Sequence, residues 1–350
     1  RQALGVVCSI TPFNFPAMVP LWTIPLAIAC GNTFILKPSE RDPSCANVMA
    51  RLFSEAGLPD GVFNVVHGDK VAVDCILEHE GIEAVSFVGS TPVAEYIYHL
   101  GTANNKRVQA LGGAKNHAII MPDADIDQAV DAMIGAAFGS AGERCMALSV
   151  AVVVGNDIAD EMINKIKYQA INIKVGCGMV TDNEMGPLIT KEHCDRVKRL
   201  ISEGQGQGAK VVLDGREFEG PKGNKNGYFC GPTILDNVTK DMSVYKEEIF
   251  GPVLVVVRVE SYDEAVKLVQ NHEYGNGTCI FTRDGDIARN FTRKIKVGMV
   301  GVNVPLPVPL AFHSFGGWKR SIFGDHHMYG PEGVRFWTKI KTVTSRWPTS

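Results

Sequence analysis

The chain predicts a two-domain α/β protein with parallel sheets, and three observations carry that expectation. Short β-branched or apolar runs alternate with helical stretches along nearly the whole length. The composition, 45% hydrophobic and 21% charged, is that of a globular protein, and 350 residues suffice for two cores. "ALGVVCSI", "TFILKP", "VFNVVHG" and "AVSFVGS" read as the first strands, each followed by a helical segment such as "DPSCANVMARLFSEAGLP", which Gly57 stops and Pro59 follows. That alternation is the pattern of parallel strands joined by crossover helices. After "GGAKNHAIIMPDADI" a second series begins: a small-residue helix from about Asp125, the strand "SVAVVVG", and later "GPVLVVVRV" and "GTCIFTRD" separated by the helical "YDEAVKLVQNHEYG". A domain change is therefore expected near Gly112 to Lys115, giving domains over 1–113 and 114–330 and a tail over 331–350. The tail stretch "VRFWTKIKTVTSRW" alternates like a strand, and a lone exposed strand invites pairing, so it is expected to add to a partner subunit in a homodimer or homotetramer.

Composition also excludes. A net charge of −3 supplies no basic field for a phosphate polymer, so nucleic acid is not an expected partner. The nine cysteines are odd in number, scattered and without a CxxC pair, which argues against a disulfide framework and a structural zinc site and for a reducing compartment. The longest apolar stretch, "AMVPLWTIPLAIAC", is too short to cross a bilayer and contains Pro20 and Pro25, so it reads as a buried helical segment and no membrane contact is expected. Arg1 stands where a methionine would open a complete chain, so any targeting signal is expected to lie outside these residues.

Chemistry first shows in "LKPSE". A strand ending in Lys37 with Glu40 three residues on can present an ammonium and a carboxylate at the carboxyl end of a parallel sheet, where open α/β folds bind nucleotides. A surface lysine beside a helix cap at Ser39 would look the same. "FVGSTPVAEY" offers a strand stopping at Gly89, a cap at Ser90 or Thr91 and Pro92 early in the helix, a start whose free N–H groups suit phosphate. In "GSAGERCMALS" Cys145 follows Arg144, which favours thiolate, amid glycines and alanines that let a ligand approach the backbone; alone, it could equally be one more packed thiol.

Taken in order, "TPFNFP" (Thr11 to Pro16), "GNTFILKPSE", "AGLPDGVFNVV", "FVGST", "GERCMA" and "EEIFGPVL" resemble the aldehyde dehydrogenase superfamily over essentially the whole chain. "ITPFNFP", "GAKNH" and "AGERCMA" look like its CoA-acylating methylmalonate-semialdehyde dehydrogenases, against which an N-terminal segment, including the first part of the cofactor domain, is expected to be missing. The resemblance implies a Rossmann-type NAD-binding domain, an α/β catalytic domain and a C-terminal oligomerisation strand. It implies that Cys145 attacks the aldehyde carbon and that Asn14, with the Cys145 N–H, donates to the resulting oxyanion. Lys37, Glu40 and Arg41 match the adenosine-ribose positions, Thr11 and Phe13 the wall beside the cofactor, Ser90 the pyrophosphate and Gly112 the nicotinamide end. Glu248 would hold the nicotinamide ribose with Phe250 packed nearby. A carboxylate at Glu40 should repel a 2′-phosphate, so NAD is expected over NADP.

One departure concerns the second half-reaction. Hydrolytic members carry "LELGGK", whose glutamate activates water, whereas "VQALGGAKN" puts Ala110 or Leu111 there. Positioned acid–base help contributes about 10²–10⁴ in rate and water, with a pKa near 15.7, needs it most. A thiol with a pKa of about 8.5 attacks unaided, so coenzyme A is the expected co-substrate. Arg144 suits an aldehyde bearing a second carboxylate, malonate or methylmalonate semialdehyde in the family, whose acyl group loses CO2 to leave acetyl- or propionyl-CoA; pairing with Glu143 is the competing role. His326 and His327 are read as loop residues, not metal ligands, and Lys115 as a solvated lysine without a role. A hydrolytic dehydrogenase and an inactive NAD-binding member of the fold remain the alternatives. The expected location is the bacterial cytoplasm, or the mitochondrial matrix of a eukaryote.

Overall fold

The structure, a computed structural model, describes residues 1–221 and 226–348; positions 349 and 350 of the expected tail lie outside the described residues. The chain divides into two compact units. Unit 1 holds Arg1–Gly112, Pro309–Gly316 and Ile322–Ser350; unit 2 holds Gly113–Val308 and Gly317–Ser321.

Unit 1 is built on β1 (Val6–Ile10), β2 (Thr33–Lys37), β3 (Phe63–Val65), β4 (Ile82–Val88) and β5 (Arg107–Leu111), all parallel, in the order β5-β4-β1-β2-β3. The short strand Ile322–Phe323 pairs antiparallel outside β5. The crossovers are α1 (Met18–Ala29), α2 (Ser44–Glu55), α3 (Lys70–Glu78) and α4 (Thr91–Ala103). Both faces of the sheet are buried, because alternate residues point to opposite sides. Cys8, Val85 and Phe87 pack one way with Ile97 of α4, and Val7, Phe34, Leu36 and Ala84 the other way with Ile24 of α1. The apolar stretch over α1 is helical, yet it turns Met18 and Leu21 outward, so only one face of it is core.

The start of the expected tail strand is helical instead: Gly330–Phe336 is a helix, after which Thr338–Lys339 pairs antiparallel with Gln2–Ala3 of the same chain and Ile340, Val343 and Trp347 are exposed. Packing overrides the alternation: Phe336 and Trp337, adjacent in sequence, are both fully buried, with Trp337 against Phe34 at 6.0 Å between ring centroids. Arg107 satisfies the carbonyls at the helix end, donating to the oxygens of Phe336 (2.6 Å) and Thr338 (2.8 Å). Residues 322–348 thus group with unit 1.

Unit 2 carries a seven-stranded sheet: β6 (Asn116–Ile120), β7 (Leu148–Val154), β8 (Lys210–Leu213), β9 (Thr233–Asp236), β10 (Val253–Val259), β11 (Gly277–Phe281) and β12 (Met299–Val302). Its order is β12-β11-β6-β7-β10-β9-β8, parallel except for β8 at the edge. The central strands are continuous Val/Ile/Ala runs and contribute most of the core. Helix α5 (Ile126–Phe138) starts where Asp125 accepts the N–H of Gln128, as its sequence predicts; α6 (Asn156–Ile171) and α7 (Lys191–Gly206) follow, the latter capped by Thr190. No helix among the described residues is long and apolar enough to cross a membrane.

Candidate active site

In unit 2 the segment between α5 and β7 presents Cys145. The chain leaves α5 through Ser140 (φ 53°) and Ala141 (φ 53°), both left-handed without being glycine, and Gly142 (φ 71°). Gly142 adopts such backbone readily, whereas at Ser140 and Ala141 it costs about 1–3 kcal/mol per residue and persists only where its surroundings over-determine it. Here they do: a Cβ on Gly142 would lie 2.0 Å from the Gly251 carbonyl oxygen, so the turn is pressed against the chain just before β10. The Cys145 carbonyl is gripped from two sides, by Nδ2 of Asn116 (2.9 Å) and Nδ2 of Asn276 (3.0 Å). Asn116 also donates to the Ala147 oxygen and accepts the Gly277 N–H, tying β6, β7 and β11 together beneath Cys145.

A small recess opens over this loop, lined by Cys145, Arg144, Glu248 and Phe250 among others. The four unit 2 residues singled out from sequence are therefore brought together. Cys145 is half-buried, and burial pushes its thiol up to about 12; Glu248 adds to the rise, while the N–H groups of Cys145 and Met146 and then Arg144 oppose it. Arg144 does favour thiolate, as its position predicts, but it is the smallest of these influences and burial wins. Its guanidinium turns to Ser140 instead of Glu143: Nε donates to Ser140 Oγ at 3.2 Å, bracing the strained turn.

Glu248 accepts the Ala114 N–H at 2.9 Å, and burial pushes its carboxyl up to about 7. Lys115 corrects the expectation of a solvated lysine: it is buried, its Nζ donates to the carbonyls of Val244 (2.7 Å) and Glu247 (2.6 Å), and desolvation lowers it to about 7. It anchors the segment that presents Glu248. Arg196 of α7 holds the same segment from its own helix, donating to the oxygens of Glu248 and Ile249 and pairing with Glu247.

In unit 1 every residue singled out lies where a parallel strand ends. Thr11, Phe13 and Asn14 follow β1, Lys37 closes β2 with Glu40 and Arg41 just beyond, Ser90 follows β4 and Gly112 follows β5. Strand order reverses between β1 and β4, which places these loops at the topological switch point. The Thr11 N–H donates to the Lys37 oxygen, joining two of the loops. Lys37 is buried with Nζ 3.2 Å from Glu40 Oε2. Burial pushes the Glu40 carboxyl up, but its own N–H, Lys37 and Arg41 together hold it below the ordinary range, so it stays an acceptor. Ser90 stands at the α4 cap position, but its hydroxyl makes no cap bond there. Cation, acceptor carboxylate and uncapped helix start on one sheet edge fit a dinucleotide.

A sequence model of the Aldehyde dehydrogenase family matches residues 1–343. The chain belongs to that family. It is 63% identical to a malonate-semialdehyde dehydrogenase of Pseudomonas aeruginosa over 347 residues, 99% of this chain and 70% of that protein. Among solved structures it is similar to a methylmalonate-semialdehyde dehydrogenase from Oceanimonas doudoroffii, with TM-score 0.98, 61% identity and coverage of 100% of this chain and 71% of that one. A Sinorhizobium meliloti 1021 protein complexed with NAD gives TM-score 0.99 and 58% identity at the same coverages.

For an aldehyde dehydrogenase, the informative surprises are the residues that grip main chain. Asn116 stands in the "GAKNH" stretch, which could have marked it, and Glu143 was read only as a partner for Arg144; Asn276, His193 and Arg196 gave no signal. His326 and His327 lie in a loop, where both carbonyls accept from Gln109.

Proposed function

We propose that this aldehyde dehydrogenase oxidises malonate or methylmalonate semialdehyde with NAD and transfers the acyl group to coenzyme A. The residues at the unit 1 strand ends would hold the cofactor: Lys37, Glu40 and Arg41 at the adenosine ribose, Ser90 at the pyrophosphate, Thr11 and Phe13 along its flank and Gly112 toward its nicotinamide. Glu248 and Phe250 serve the nicotinamide ribose, and NAD when bound supplies the hydride acceptor. Cys145 adds to the aldehyde carbon, Asn14 and the Cys145 N–H stabilise the oxyanion, and loss of hydride leaves a Cys145 thioester. Arg144 orients the distal carboxylate. Malonate semialdehyde, NAD⁺ and CoA thiol then balance as acetyl-CoA, CO2 and NADH.

The observation that carries the acyl-transfer half is that Ala110 and Leu111 are buried, apolar ends of β5. No carboxylate stands there to activate water, and a thiol needs none. The hydrolytic alternative has one observation in its favour: Glu248 lines the same recess as Cys145, and burial pushes its carboxyl up to about 7, toward the range that suits a base. Product analysis with malonate semialdehyde and NAD, with and without CoA, separates the two. Acetyl-CoA formation with NADH stalling after one turnover in the absence of CoA is expected; equal NADH and free acid without CoA overturns the proposal. The assembly is proposed as a homodimer or homotetramer. The compartment is proposed as the bacterial cytoplasm, or the mitochondrial matrix in a eukaryote, because all nine cysteines are free thiols.

A further inference from the structure

Helix α7 carries no residue of the recess lining, yet three of its side chains act on the recess walls. Val197 packs where a Cβ on Gly251 would lie, 2.7 Å away, and Arg196 holds the oxygens of Glu248 and Ile249. His193, in the first turn, completes the set: its Nε2 lies 2.7 Å from the Phe250 oxygen and 3.5 Å from Oε1 of Glu143. Phe250 is left-handed (φ 57°), so its carbonyl is held in a direction the backbone would not choose. Glu143 is two residues before Cys145, buried, and accepts the Ile189 N–H at 3.3 Å. One imidazole therefore touches both walls, the nucleophile loop through Glu143 and the Glu248–Phe250 turn through the Phe250 carbonyl.

We propose that His193 and Glu143 form a positioning pair that fixes the spacing between Cys145 and the Glu248–Phe250 turn, resting on the reading of Cys145 as the nucleophile and deepening it. Neither residue touches the reacting atoms. Burial holds His193 below its ordinary value and Glu143 up at about 8, so near neutral pH the pair is uncharged and His193 is the neutral tautomer with hydrogen on Nε2, donating to Phe250. A neutral link adds little field at the sulfur. Its effect is geometric.

The test uses the full chain as wild type, His193→Ala, His193→Gln and Glu143→Ala, with two readouts: alkylation of Cys145 by iodoacetamide, followed by mass analysis of its peptide, and single-turnover NADH formation from malonate semialdehyde. Removing the imidazole loosens the recess and admits water, which relieves the burial that raises the thiol. His193→Ala is expected to alkylate about 3- to 10-fold faster at pH 8. Its NADH step is expected about 10-fold slower, since misplacement of reacting groups by about 1 Å costs up to 10²-fold. Gln, with an amide N–H able to reach the Phe250 carbonyl, should restore both rates to within about threefold. A merely structural role lowers both rates together or neither. That result in a folded variant, or Gln behaving as Ala, overturns the proposal. Should His193→Ala not fold, Glu143→Ala carries the same pair of opposite shifts, and their absence is equally fatal. If wild type yields no NADH, the dehydrogenase reading falls while the alkylation shift still decides the pair.

Discussion

Unit 1 gathers its proposed cofactor-binding groups by topology, whereas unit 2 holds Cys145, the proposed nucleophile, with dedicated bonds. At the unit 1 edge, parallel strands ending at one level bring Thr11, Lys37, Ser90 and Gly112 together without any special backbone. Around Cys145, three consecutive left-handed residues, two asparagine side chains and a buried lysine are needed to present one thiol and one carboxylate. The difference fits the tasks proposed for the two units. Holding a cofactor is spread over many weak contacts and tolerates small errors, while attack on a carbonyl requires reacting atoms about 3–3.5 Å apart in line.

Two glycines break that comparison most sharply. Gly57 ends α2 with φ 90° and nothing within 4 Å of where a methyl would stand, whereas Gly142 has φ 71° and the Gly251 oxygen 2.0 Å from where its Cβ would be. Gly57→Ala should therefore cost only left-handed strain, about 1–2 kcal/mol in urea unfolding. Gly142→Ala adds a backbone clash, and a loss of about 3 kcal/mol or more is expected, with NADH formation abolished. Equal costs at the two sites would mean that the nucleophile loop is looser than its geometry states. Next in size are the asparagines. Asn116→Ala leaves the Ala147 oxygen and Gly277 N–H without this partner as well as weakening the hold on Cys145, so about 2–3 kcal/mol is expected from denaturation; Asn276→Ala, which leaves Asn116 on the same carbonyl, should cost about 1 kcal/mol.

These features also mark what a sequence can and cannot show. That Lys37, Glu40 and Ser90 stand at the ends of parallel strands was legible because β-branched runs locate those ends, and the end of a parallel sheet is where a ligand is proposed. Cys145 and Glu248 were legible through ordered motifs. Lys115 was misread because its partners are main-chain carbonyls 129 and 132 residues away, and a carbonyl has no side-chain signature. Asn276 and His193 were missed for the same reason. The start of the tail was read as strand where it is helix, because alternation cannot report that Arg107, over 200 residues earlier, satisfies a helix end there.

Kinetics sharpen the contrast between the units on a smaller scale. Lys37→Met keeps most of the buried volume and removes the ammonium, so KM for NAD should rise about 10-fold with kcat within about twofold, the pattern of lost uniform binding. Arg144→Leu in unit 2 should instead raise KM for malonate semialdehyde about 10-fold while leaving propanal nearly unchanged, consistent with the loss of one charge-assisted bond. Equal penalties on both aldehydes would remove Arg144 from carboxylate recognition and leave it as the brace of Ser140.

A change of pH isolates one buried carboxyl. Burial raises Glu143 from an ordinary value near 4.5 to about 8, so the native state keeps a proton that the unfolded chain releases in between. A raised carboxyl stabilises fully below the unfolded value, and that contribution is lost as pH rises through the folded one, here across about pH 4.5 to 8. Glu248, raised for the same reason, acts in the same direction, and Lys115, lowered by burial, acts in the opposite direction above pH 7. Both remain in Glu143→Gln, so the difference between wild type and variant belongs to Glu143. Urea unfolding at pH 5 and pH 8.5 should show wild type losing up to about 4 kcal/mol more than the variant over that range, at about 1.4 kcal/mol for each unit by which the carboxyl is raised. Parallel losses would mean that Glu143 is ionised in the folded protein, that its contact with His193 is an ion pair, and that the nucleophile loop of unit 2 is held by charge where unit 1 holds Lys37 to Glu40.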